Sequence, residues 1–250
     1  MDSIRRIVRT FGLVLACLCG ASAAGEGDPI RVLYFAMPPY VLATDEGPMG
    51  PQIDMFRVLT QGLPVEFDQD PVSMSRAHYI LTHERSMIVG LGKIPERAQW
   101  NLAWIGEVFV GDMAFATRRG HAPVNTVDQA KDLDSIGCNE GGAPALMLEA
   151  RGFKNIDLAR SFDLQAAKLK AGRIEAWFDL RTAIVATWKR LGYPEDELVI
   201  GVPVNQVSMW VAASPLVDPA TIAALQQRFE TLKVQKKVPI TLGGPSATLK

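Results

Sequence analysis

Ile30-Arg31-Val32-Leu33-Tyr34-Phe35, followed by Pro38-Pro39-Tyr40, is the stretch from which the fold is read. Its apolar and β-branched residues predict a buried strand, and two prolines without amide donors stop it. Working outward, Gly50-Pro51-Gln52-Ile53-Asp54 leads into a helical pattern from Asp54 to Gln61, with Phe56, Val58 and Leu59 apolar and Gly62 at its end. Val65-Glu66-Phe67 alternates as a second strand, Arg76 to Glu84 reads as a helix, and Met87-Ile88-Val89-Gly90-Leu91-Gly92 as a continuous apolar strand. Strands and helices alternating at this spacing predict parallel βαβ units, hence an α/β chain.

The pattern then restarts. Ser135 to Cys138 is a short strand entering the Gly-rich turn Asn139 to Gly142, and a helix runs from Pro144 to Arg151 with proline in its first turn. A helix over Asp163 to Ala171 ends at Gly172, Ile174 to Leu180 is a buried strand, and Thr182 to Leu191 is helical. Phe115-Ala116-Thr117 lies between the halves, Val207 to Val211 offers a return, and Pro219 to Leu232 is a final helix.

Bulk properties narrow the class. Residues 1–24 have a basic start (Arg5, Arg6, Arg9), an apolar run from Phe11 to Cys19, and Ala21-Ser22-Ala23 as a small-x-small cleavage pattern. The run is well short of the roughly 20 residues that span a bilayer, so a cleaved export signal is expected. The periplasm is the expected destination; lipidation at Cys17 is the alternative, against which stands the bulky Leu15. Removing the leader leaves only Cys138, which excludes an intramolecular disulfide. With 26 basic and 27 acidic residues, nothing indicates a nucleic-acid surface.

The order and spacing of Pro38-Pro39-Tyr40, Gly50-Pro51-Gln52-Ile53-Asp54 and Pro95-Glu96-Arg97 resemble the first lobe of bacterial extracellular solute-binding proteins of family 3, which carry polar amino acids to transporters. The resemblance implies a two-lobed type 2 periplasmic-binding fold. Each lobe is a mainly parallel sheet flanked by helices, and two hinge crossings join them. Lobe one would cover 28–116 and 208–250, and lobe two 117–207. Ligands of open α/β sheets bind beyond the carboxyl ends of the strands, so two facing lobes make a cleft that closes by hinge motion.

The resemblance also assigns roles. Arg97 would fork onto a ligand carboxylate, since its parallel N–H donors match two carboxylate oxygens. The chain departs from the family's Gly-x-Thr-x-Thr-Pro-Glu-Arg pattern at Gly92 and Ile94, where hydroxyl residues are expected. Tyr40 would form an aromatic wall, Asp179 would accept the ligand ammonium, and Asp54 would cap the first helix. Arg76, Trp104 and a backbone contact at Gly142 complete the candidate set. For each residue a purely structural reading stands beside the functional one: a surface Arg97, a core Tyr40 or Trp104, an Asp179 paired with Arg173 or Arg181.

Enzymatic signatures are few. His78, His83 and His121 have no metal-ligand spacing, there is no Gly-x-Ser-x-Gly elbow, and Cys138 reads as a packed thiol. The resemblance therefore implies a monomeric, cofactor-free and metal-free receptor that hands a small carboxylate-bearing solute to an inner-membrane ABC permease. Two alternatives are an enzyme on the same fold, of the cyclohexadienyl dehydratase type, and a stand-alone sensory receptor.

Overall fold

The computed structural model describes residues 28–235; the expected leader and residues 236–250 lie outside that range. The opening apolar run forms β1 (Ile30–Tyr34), followed by a short hairpin of β2 (Leu42–Thr44) and β3 (Gly47–Met49). Helix α1 (Pro51–Leu59) starts three residues earlier than the sequence suggests, because Gly50 takes φ 118 and Pro51 occupies the first turn. Asp54 therefore does not cap it; it lies exposed within the first turn, 3.8 Å from Arg57. Next come β4 (Val65–Phe67), α2 (Met74–His83) and β5 (Ser86–Lys93), with Ser73 accepting a bond from the Arg76 amide at the start of α2.

After a 3-10 turn over Pro95–Trp100, strand β6 runs from Ala103 to Arg118. The second half holds α3 (Val127–Ala130), β7 (Ile136–Asn139), α4 (Ala143–Glu149), β8 (Ile156–Ala159), α5 (Phe162–Lys170), β9 (Ala176–Leu180) and α6 (Arg181–Arg190). The chain returns through β10 (Leu198–Ile200) and β11 (Asn205–Ala213) and ends in α7 (Pro219–Val234). None of the helices described is long and apolar enough to cross a membrane.

β1 pairs in parallel with β4 and β5, and β7 pairs in parallel with β8 and β9, as the βαβ pattern requires. The halves meet through β6. Its 16 residues reach about 54 Å, far beyond the usual five or six residues of a strand. From Ala103 to Met113 it pairs with β11 of the first half, and from Met113 to Thr117 with β9 of the second. β10 and β11 run back beside it, tied by bonds from the Gly201 amide to the Phe115 carbonyl and from Val204 to Met113. Two antiparallel crossings thus lie side by side, and hydrogen bonding is continuous through them from one half to the other.

Close packing sets the glycines in β6. A Cβ at Gly106 would lie 2.2 Å from the ring of Phe229 on α7, and one at Gly111 would lie 2.4 Å from Leu180. Phe229 is itself buried, so α7 docks onto β6 by pressing its ring onto bare backbone. Gly106→Ala should destabilise the protein by about 1–3 kcal/mol, the usual cost of overpacking. Urea denaturation measures this, and an unchanged midpoint would mean that α7 does not dock there.

Candidate functional site

The parallel strands of both halves direct their carboxyl ends toward a cavity of about 330 Å³. Its walls come from Phe35 to Met37 after β1, from Gly90 and Gly92 on β5, from Asn139 to Pro144 after β7, from Arg160 to Phe162 after β8, and from the end of β9. Met113, Val207 and Met209 of the two crossings form its back. This is where an open α/β sheet places a ligand, and the volume suits a small molecule.

Arg97 lines this cavity and is only 2% exposed. It sits on the turn after β5 and folds back so that Nη1 donates to the Gly92 carbonyl at 2.6 Å. Nη2 reaches the Gly141 carbonyl of the second half at 3.1 Å and the Met74 sulfur at 3.5 Å. The departure at position 92 has a physical reason here: a Cβ on Gly92 would stand 3.2 Å from Nη1 and 3.3 Å from Ala143. Among the described residues no carboxylate pairs with Arg97, and its buried Nε has no partner. Desolvation pulls its pKa down to about 10, with Glu96 opposing, so it remains a cation at neutral pH.

Asp179 faces the same cavity from the end of β9 and is 4% exposed. Its Oδ1 accepts from the Leu180 amide at 2.7 Å, whereas Oδ2 is buried without a partner. Neither Arg173 nor Arg181 pairs with it among the described residues. Burial pushes its pKa up to about 7, and the Leu180 bond only partly offsets this. The cavity therefore holds a guanidinium with spare donors and a carboxyl group with an unused oxygen.

The other candidates fare differently. Gly142 lines the cavity, but its N–H already donates to the Asn139 carbonyl, which removes the backbone contact expected of it. Tyr40 is outside the wall: it is 2% exposed, stacks on Phe109 at 4.3 Å and bonds Thr182 Oγ1 at 2.6 Å. It connects the first half to α6. Arg76 is exposed on α2 and does not line the cavity, whose wall there is made by Pro71 to Met74. Trp104 packs edge-on against Trp210, with Lys93 over both rings, also away from the cavity. Cys138 is fully buried, and burial, with Asp179 and Glu149 adding to it, drives its thiol pKa upward, as a packed thiol requires.

Sequence reasoning passed over most of the wall, including Phe35, Met37, Met74, Met113, Phe162 and Met209. The one signal available was that Phe35, Met37 and Phe162 follow strand ends; Met113 and Met209 lie within β6 and β11. Asn139, whose Oδ1 is buried and unpartnered, was read only as part of a turn. No group of histidines, cysteines and carboxylates among the described residues is arranged to hold a metal.

No family model matches the chain, and no curated protein does. Solved structures do match. A histidine kinase sensor domain similar to periplasmic binding proteins superimposes with a TM-score of 0.76 at 17% identity, covering 86% of this chain and 94% of that one. A mutant of ArgBP from T. maritima gives 0.72 at 16% identity, covering 84% and 91%. An ABC uptake transporter substrate binding protein from Streptococcus pneumoniae, with bound histidine, gives 0.71 at 14% identity, covering 84% and 88%. At these identities the likeness establishes the fold, and that fold is the type 2 periplasmic-binding architecture.

The carboxyl of Asp179 makes stability depend on pH. Its folded pKa of about 7 exceeds the ordinary 3.8, so the native state keeps a proton that the unfolded chain releases. Stability must therefore fall as pH rises between about 4 and 7. Asp179→Asn removes this loss and should gain on the parent over that window by up to roughly 4 kcal/mol, at about 1.4 kcal/mol per unit. Denaturation of both proteins at pH 4.5 and pH 8 measures it; a constant difference would show that Asp179 is not buried as a carboxyl.

Proposed function

We propose that this chain is an exported receptor that captures an amino acid or related small carboxylate in the cavity and delivers it to an ABC-type permease. The carrying observation is the pair of incompletely satisfied charged groups on one cavity, Arg97 and Asp179, supplied by opposite halves of the sheet. A buried charge without a partner is costly. A ligand carboxylate on Arg97 and a ligand ammonium on Asp179 would relieve both costs at once. Because the groups belong to different halves, only the closed arrangement offers both contacts, and that differential affinity is what shifts the population toward closure. We read the two sheet halves as the lobes, with β6 and the β10–β11 return as hinge. Solved structures of the same fold with arginine, glutamine or histidine bound support an amino acid as ligand.

A second reading, a sensory receptor signalling to a membrane partner, is favoured by the likeness to the histidine kinase sensor domain. Both readings share the pocket and differ in partner. Affinity capture on the ligand-loaded protein separates them, since transport requires retention of a permease.

Isothermal titration calorimetry against amino acids and organic acids should show saturable binding. Arg97→Lys should weaken it by about 2–5 kcal/mol, roughly 30-fold or more, because a point ammonium cannot reproduce the planar fork. Affinity unchanged in Arg97→Lys would remove Arg97 from the site.

A further inference from the structure

We infer that the cavity selects α-amino acids with apolar side chains, such as methionine, leucine or phenylalanine, over charged or amide-bearing ones. The inference rests on the receptor reading above and specifies its ligand. Its basis is an inventory of the polar groups on the wall. Ser73 and Ser161 line the cavity, and each hydroxyl oxygen accepts from the Arg76 or Leu164 amide at the start of α2 or α5, which leaves only its own O–H to donate. Glu140 and Arg160 also line it, yet they lie 3.9 Å from each other and are 48% and 84% exposed, at the mouth. The buried polar side-chain atoms of the wall that have no partner belong to Arg97, Asp179 and Asn139.

Those three match the invariant part of an α-amino acid and nothing more. The guanidinium donors suit the carboxylate, while Asp179 Oδ2 and Asn139 Oδ1 are two acceptors for the ammonium. What is left for the side chain is Phe35, Met37, Met113, Phe162, Leu180 and Met209. A guanidinium or carboxylate on the ligand side chain would be buried there without a partner, at a cost that an apolar group avoids. The methionines add tolerance, because their unbranched thioether chains refit to ligands of different shape.

The test is calorimetry on the unmodified mature protein with L-methionine, L-leucine, L-phenylalanine, L-arginine, L-glutamate, L-glutamine and hexanoate. At least one of the three apolar amino acids should bind tenfold or more tighter than arginine, glutamate and glutamine. Hexanoate, which keeps the carboxylate and apolar tail but lacks the ammonium, should also be weaker by tenfold or more. Arginine, glutamate or glutamine binding as tightly as the apolar set would overturn the selectivity while leaving the receptor reading intact. Hexanoate matching leucine would overturn the assignment of Asp179 and Asn139 to the ammonium. Failure of every amino acid and of hexanoate would overturn both readings together.

Discussion

A cation held out of water between two halves of one sheet is the constraint around which this protein is arranged. Arg97 is nearly fully buried, yet it donates to backbone carbonyls, Gly92 on the preceding strand β5 and Gly141 across the cavity. Carbonyl dipoles lower the cost of a buried charge but do not cancel it. The arginine thus ties the halves together and remains incompletely satisfied. Gly92 follows from this, since a side chain there would crowd the guanidinium against Ala143 and Val207. Tyr40 supplies a second tie, from the first half to Thr182 at the start of α6.

Asp179 is the complementary cost on the other half. A carboxyl group driven to a pKa of about 7 by burial is a poor choice for stability. An asparagine or leucine there would avoid that cost, and a carboxyl so perturbed in a cavity is a candidate site group on physical grounds. The distribution of polar atoms reinforces this. The wall's buried unpartnered polar atoms belong to Arg97, Asp179 and Asn139, while Ser73, Ser161, Glu140 and Arg160 add polar groups to its sulfur and hydrocarbon.

Much of the architecture was legible in the sequence because it is locally encoded. The apolar runs that became β1, β5 and β9, with the intervening glycines and prolines, suffice for two βαβ halves. Arg97 and Asp179 were legible for a related reason: each is a charged residue next to an apolar strand. The length of β6 was not, because Gly106, Glu107, Gly111 and Asp112 interrupt its apolar pattern. Those glycines are dictated by Phe229 and Leu180, which approach from distant parts of the chain. The packing of Tyr40 was not legible for the same reason, since its partners Phe109 and Thr182 are brought to it only by the fold. The methionine wall is likewise assembled from four separate segments, and no single window reveals it.

The account stands on one cavity shared by a guanidinium and a carboxyl group from opposite halves. A crystal structure of the protein saturated with its tightest-binding amino acid addresses that claim directly. The ligand carboxylate should lie within hydrogen-bonding distance of Arg97 and its ammonium within reach of Asp179. A ligand seated elsewhere, or one in this cavity that touches neither residue, would contradict it.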